Sequence, residues 1–248
     1  MTQVVAIIQA RLGSTRLPRK VLSPIGGVPM LEHVVRRVSE ARSVNQVVVA
    51  TTVSSRDDAI VSLCQDRGWS VSRGSEDDVL ARYHAAAQSH GADVIVRVCS
   101  DCPLVDPELI DDVVGALQDR PELDYVANNL PPRTYPIGLD LEAFRRSALE
   151  TAHGEDRDPA LREHVTSYIR QNTDRFEILG LSHTEDLSSH RWTVDVPEDL
   201  MLIERVYQEM GGDPGPWRTI VELCEAHPEW SQLNAHVVQK PQRIEPSQ

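Results

Sequence analysis

VVAIIQARLGSTRLPRK, residues 4–20, is the stretch on which the fold turns. Val4–Ile8 is apolar and mostly β-branched, which predicts a buried strand over Val4–Gln9. It runs directly into a loop that gathers Arg11, Arg16, Arg19 and Lys20 between positions 11 and 20. A buried strand that ends in a polar, ligand-sized loop is how an open α/β sheet begins, because ligands in such sheets bind beyond the carboxyl ends of the strands. The charge makes the loop stand out further. The 248-residue chain carries a net charge of −13, and Lys20 is one of only two lysines, the other being Lys240.

The segments that follow keep the α/β rhythm. Gln46–Thr52 and Asp93–Val98 read as further strands, and the helical patterns are Pro29 onward with Leu31, Val34, Val35 and Val38 on one face, then Asp57–Arg67 and Asp77–Ser89. In VDPELIDDVVGAL, Asp106 is placed to cap a helix with Pro107 at its first position. Short strands alternating with helices predict a mostly parallel, doubly wound sheet flanked by helices on both faces. Beyond Tyr125 the regularity falls. NNLPPRTYPIGLD reads as loop, Arg157–Asn172 as one helix, RFEILGL and HRWTVD as strands, and VPEDLMLIERVYQEM as another helix followed by short ones. The expected organisation is one domain over residues 1–240, with residues 128–190 as a small irregular lobe above the ligand edge and 241–248 as a frayed tail.

Composition removes several function classes. An apolar content of 40% suffices for a sizeable core. A net charge of −13 argues against a nucleic-acid partner, which would call for a basic face. MTQVVAIIQA lacks the charged start of a secretory leader, and no apolar run approaches the ~20 residues of a membrane span, so a cytoplasmic protein is expected. Four cysteines, Cys64, Cys99, Cys102 and Cys224, make no disulfide framework in a chain this long. Cys99 and Cys102 have neither the second ligand pair of a zinc site nor the helix start of a redox motif, and read as buried thiols.

The chemistry gathers at strand ends. Gly13-Ser14 lets backbone N–H groups approach an anion while Arg11, Arg16 and Lys20 close around it, as a triphosphate would require; a merely solvated basic loop is the alternative. Neither a P-loop nor a dinucleotide fingerprint is present. Asp101 follows a predicted central strand and no cap accounts for it. Asp195 occupies a similar strand-end position before a proline-initiated helix, where a turn or capping role is the simpler alternative. If the strand before Asp101 lies beside the first strand, its carboxylate shares an edge with the basic loop. Carboxylates holding Mg²⁺, with arginine and lysine neutralising the remaining charge, would suit a metal-bound triphosphate.

QARLGSTRLPRK (9–20) resembles the N-terminal signature of cytidylyltransferases related to CMP-KDO synthetase, most of all the branch named after a spore coat polysaccharide biosynthesis protein. Four further segments match in order: VSRGSEDDVLARYHAAA (71–87), VRVCSDCPLVDPELID (96–111), GLDLEAF (138–144) with REHVTSYI (162–169), and RWTVDVPEDL (191–200). The likeness spans about residues 3–210. It implies a Rossmann-like nucleotidyltransferase fold of GT-A type and transfer of CMP from CTP with release of pyrophosphate. By the same resemblance Arg11, Arg16 and Lys20 would contact the triphosphate that the Gly13-Ser14 backbone can approach. Asp101 and Asp195 would hold the catalytic Mg²⁺, Arg73 would read base or ribose, and Asp140, Glu163 and His164 would face the acceptor. A homodimer is the usual assembly of such proteins. The KDO synthetases carry a QGD-like turn where this chain has Cys99-Ser100-Asp101, so the resemblance does not name the acceptor. Two rivals are a glycosyltransferase using a nucleotide sugar and a non-catalytic nucleotide-binding subunit. The single aspartate of SDCP, where D-x-D is usual, argues against the first. Retention of Lys20, Asp101 and Asp195 together argues against the second.

Overall fold

Every residue from Val4 to Ile8 is apolar, and along that strand alternate side chains enter opposite cores: Val4, Ala6 and Ile8 one, Val5 and Ile7 the other. Burial on both faces is the signature of a central strand in a helix-covered sheet. The computed structural model describes residues 2–239. In chain order its elements are β1 (Val4–Gln9), a small hairpin of β2 (Pro24–Ile25) and β3 (Val28–Pro29), α1 (Met30–Ser39), β4 (Gln46–Thr52), α2 (Asp58–Arg67), β5 (Ser70–Gly74), α3 (Val79–Ser89), β6 (Val94–Cys99) and α4 (Pro107–Gln118). They continue with β7 (Tyr125–Ala127), β8 (Glu142–Arg145), α5 (Arg146–Glu155), α6 (Pro159–Arg162), α7 (Ser167–Gln171), β9 (Ile178–Gly180), α8 (Pro197–Glu209), α9 (Trp217–Ala226) and α10 (Pro228–Gln232).

Among the described residues seven strands form the main sheet, in the order β5-β4-β1-β6-β8-β7-β9. The β5-β4-β1-β6 half is parallel, β8 runs antiparallel to both neighbours, and β9 is parallel to β7. One face packs against α1, α2, α4, α8 and α9, and the other against α3, α5 and α7. This is the mostly parallel, helix-flanked sheet expected. The strand order reverses at β1 and β6, and at such a switch point the loops leaving the two strands diverge and open a crevice. Asp106 caps α4 as expected, accepting from the Glu108 and Leu109 N–H groups. No helix among the described residues is long and apolar enough to cross a membrane.

Two expected elements differ, each for a local reason. HRWTVD forms no strand. Its backbone bonds instead to loops, with Trp192 N–H donating to Ile137 O and Val194 N–H to Asp101 O, so that it threads between them. Arg157–Asn172 is not one helix. It breaks into α6 and α7 because Val165 takes a left-handed φ of 61°. Of the span 128–190, β8 lies inside the main sheet, while α6 and the turn after it border the ligand edge. The tail at 241–248 falls outside the described residues.

Candidate active site

Parallel pairing sets Gln9 at the end of β1 opposite Cys99 at the end of β6, so both strands release their loops at one edge. From β1 the chain is anchored by Leu12 N–H donating to Asp57 Oδ1, then turns at Arg19 into a short 3₁₀ turn over Lys20–Leu22. That turn drives Lys20 inward, leaving it 9% exposed. Its ammonium donates to three oxygens: Asp101 Oδ2 at 2.7 Å, Asp195 Oδ1 at 2.8 Å and Val194 O at 2.8 Å. The two aspartates separated by 94 positions therefore converge on one cation, and Val194 N–H donating to Asp101 O ties their segments together.

Asp195 is held from behind. The Asp199 carboxylate, in the first turn of α8, accepts from the Asp195 and Val196 N–H groups at 2.8 and 3.1 Å. Arg191 bridges Asp199 and Asp195 through Nε at 2.9 Å and Nη2 at 3.0 Å, and Arg16 Nη2 approaches Asp195 Oδ2 at 3.0 Å. Burial would raise the Asp195 carboxyl, but the surrounding Lys20, Arg16 and Arg191 charges outweigh it and hold it below the ordinary aspartate range. Lys20 responds in kind. Burial lowers its proton affinity, and the two carboxylates more than reverse the loss. Lys20 and Asp195 are therefore both charged at neutral pH. Gly138 sets the backbone behind it: at φ +106° it lies so close to Trp192 and Thr193 that an added Cβ would stand 2.5 Å from Thr193 N.

Above the cluster opens a cleft of about 740 Å³. The basic loop, with Arg11, Gly13, Ser14 and Arg16, makes one wall. Glu163 and His164 also line it, as do Lys20, Asp101 and Asp195. Nine of the residues singled out in the sequence thus meet around one cavity. Arg73 and Asp140 do not line it. Arg73 bonds the Thr52 and Ser54 carbonyls and pairs with Asp58, and Asp140 pairs with Arg133. Burial pushes the Asp140 carboxyl up despite that arginine. Sequence reasoning missed Gln9, Glu76, Arg82 and Arg97, all of which line the cleft. The signal for Arg97 was present, as a lone charge inside VIVRVC, a strand otherwise fit for burial on both faces. The cysteines are free, and burial pushes the Cys99 thiol up to about 12 and the Cys64 and Cys224 thiols up to about 11, so none is a thiolate at neutral pH.

The donor set fits a hard divalent cation. Two carboxylates already converge where one positive charge sits, and Mg²⁺ characteristically takes one or two carboxylates and completes its shell with phosphate oxygens and water. Among the described residues no group of three or more His, Cys, Asp or Glu side chains could hold a metal alone. A bound ion would therefore draw its remaining ligands from a phosphate-bearing substrate or solvent.

A strand-end cradle of cations above paired carboxylates, at the switch point of the sheet, is matched in sequence by a family. The cytidylyltransferase family model fits residues 5–213. The chain belongs to that family. As a cytidylyltransferase it is 33% identical over 222 residues to the spore coat polysaccharide biosynthesis protein SpsF of Bacillus subtilis, a match covering 86% of this chain and 90% of that protein. The 3-deoxy-manno-octulosonate cytidylyltransferase of Geobacter sulfurreducens is 40% identical over 152 residues, covering 57% of this chain and 59% of its own. Among solved structures, a cytidylyltransferase from Leptospira borgpetersenii superposes with a TM-score of 0.89 at 32% identity, covering 94% of this chain and 98% of that one. The resemblance to this family carried by QARLGSTRLPRK and the four later segments is borne out, as is the nucleotidyltransferase fold.

Proposed function

We propose that this cytidylyltransferase transfers CMP from CTP, with Mg²⁺, to a sugar-acid, phosphate or phosphonate acceptor and releases pyrophosphate, in surface polysaccharide or related biosynthesis. The observation that carries this reading is the convergence of Asp101 and Asp195 on Lys20 at the floor of a cleft walled by Arg11 and Arg16. We take the enzyme to work as a cytoplasmic homodimer on small molecules, with neither nucleic acid nor membrane as a partner.

An acceptor oxygen attacks the α-phosphorus of CTP in line. The new acceptor O–P bond forms as the bond from the α-phosphorus to the bridging oxygen breaks; that oxygen departs with pyrophosphate, and a hydroxyl acceptor gives up its proton to solvent. Arg11, Arg16 and Lys20, with the Gly13-Ser14 backbone beneath, hold the triphosphate and stabilise the charge that develops on the leaving group. Asp101 and Asp195 would hold Mg²⁺, which draws charge from the phosphate oxygens when bound. Lys20 keeps the two carboxylates converged, and Arg191 with Asp199 fixes the orientation of Asp195. Glu163 and His164 face the acceptor. Arg73 and Asp140, outside the cleft lining, take no part in this scheme.

The test supplies CTP, UTP, ATP or GTP with Mg²⁺ and a panel of sugar acids, sugar phosphates and phosphonates, and follows pyrophosphate. Acceptor-dependent pyrophosphate with CTP is the expected result. Release of a nucleoside diphosphate from a nucleotide sugar instead would assign glycosyl transfer.

A further inference from the structure

The cleft lining includes a buried charged group that triphosphate binding does not use. Arg97 projects from β6 on the same face as Ile95 and Cys99, opposite Ile7 of β1, two residues below the strand ends where Gln9 and Cys99 stand. It lines the cleft yet is only 8% exposed. Its Nη1 donates to Glu142 Oε1 at 2.5 Å, while its Nε, also buried, has no partner among the described residues. Glu142 is better provided. It accepts from Tyr125 Oη at 3.0 Å and Thr166 Oγ1 at 2.5 Å as well. The counter-charge is thus shared among several donors, and the Nε edge of the guanidinium keeps a buried N–H without a partner among the described residues. That edge is what a carboxylate or phosphate oxygen takes up.

The segment that joins the cleft lining to Glu142 is strained. Thr166 N–H donates to His164 O at 2.6 Å across Val165, whose φ is 61°. A three-residue turn of positive φ is rare, and a β-branched residue at its centre is a steric outlier that persists only where the surroundings over-determine it. The strain sets two placements at once. Before the turn, Glu163 and His164 line the cleft; after it, Thr166 reaches Glu142 and through it Arg97. His164 and Arg97 also share one electrostatic neighbourhood. Burial lowers the His164 proton affinity, the Arg97 and Arg170 charges lower it further, and Glu163 and Glu142 oppose them.

We propose that Arg97 is the specificity residue for an anionic acceptor, receiving a carboxylate or phosphate oxygen on its Nε edge, and that Glu142, Thr166 and the Val165 turn are the positioning residues that hold it. This assignment rests on CMP transfer at the same cleft, and it names the end of the cleft at which the acceptor's charge is read.

The test titrates each acidic acceptor of the panel, beside its uncharged counterpart, into wild type, Arg97→Gln, Thr166→Val and Thr166→Ser, with the protein loaded with CTP and Mg²⁺ and also alone. Calorimetry and acceptor KM are read together. Anionic members are expected to bind wild type about thirtyfold more tightly than Arg97→Gln, the range for a hydrogen bond to a charged group, with uncharged counterparts equal on both. Sugar acids against sugar phosphates decide which anion is taken. Thr166→Val should raise acceptor KM and leave CTP affinity unchanged, and Thr166→Ser, which keeps the hydroxyl, should restore it. Should Arg97→Gln not fold, Arg97→Lys keeps the charge against Glu142 without the planar edge and is expected to fall between. Equal affinity of Arg97→Gln and wild type for the anions overturns the assignment, and so does failure of every anionic member to bind wild type. Failure of CTP to bind overturns the reading of the reaction instead, and the titrations of protein alone still decide Arg97.

Discussion

Lys20 donates to three oxygens from a buried position, and removing it leaves Asp101 and Asp195 facing each other without the charge between them. Lys20→Met and Asp195→Asn are each expected to lower kcat/KM for pyrophosphate release by about a hundredfold or more, ~3 kcal/mol of lost transition-state stabilisation. Near-native turnover in either would remove that residue from its role. The same residues set a pH dependence of stability. Lys20, Arg16 and Arg191 hold Asp195 below its ordinary value against the opposing effect of burial. A depressed carboxyl binds fewer protons folded than unfolded, so its contribution is complete above the unfolded value and is lost as pH falls through the lower folded one. Urea midpoints measured from about pH 5 down to about pH 2 should therefore fall less steeply in Asp195→Asn than in wild type.

At the scale of elements, the site depends on helix starts and on one close approach. Asp106 caps α4, and its other oxygen accepts from Trp217 N–H at the start of α9 and lies 3.6 Å from the buried Arg37. Asp106→Ala should cost about 3 kcal/mol, since it removes a cap and takes from the buried Arg37 one of its two carboxylate partners, leaving the exposed Asp213; Asp106→Asn, keeping the cap, should cost less. Gly138→Ala should destabilise by about 3 kcal/mol and lower activity together, because its Cβ would push the Trp192–Thr193 backbone that leads to Asp195. Both are read as urea midpoints, the second beside kcat. These cases also mark what is legible in sequence. Val4–Gln9, Gln46–Thr52 and the Asp106-Pro107 helix start declare themselves because local patterning and burial agree. Strand β8 hides because it buries a charged Glu142 that distant partners, Arg97, Tyr125 and Thr166 among them, make tolerable. The break at Val165 hides for the same kind of reason, as no local residue preference asks valine to take a left-handed φ. Nine site residues could be named from strand ends and resemblance. Arg97 shows in sequence only as a lone charge inside a buried strand, and its role depends on partners far along the chain.

For the whole molecule, the sheet order brings β1 beside β6 and so makes one site from residues 20, 101 and 195. With only two protein carboxylates converging there, a divalent ion would hold on largely through substrate phosphates. Chelation by EDTA is therefore expected to abolish turnover while leaving the urea midpoint of the nucleotide-free protein unchanged; a chelator-induced fall in that midpoint would instead indicate a structural metal. Sedimentation should give twice the chain mass if the enzyme is the homodimer proposed. The most direct measurement is pyrophosphate release from CTP with Mg²⁺ across the acceptor panel, run in parallel on wild type and Asp101→Asn. Acceptor-dependent pyrophosphate from CTP in wild type, reduced about a hundredfold in the variant, is the expected result. Equal turnover in the two proteins, or no binding of any nucleoside triphosphate with Mg²⁺ present, would contradict CMP transfer at the Lys20–Asp101–Asp195 cluster.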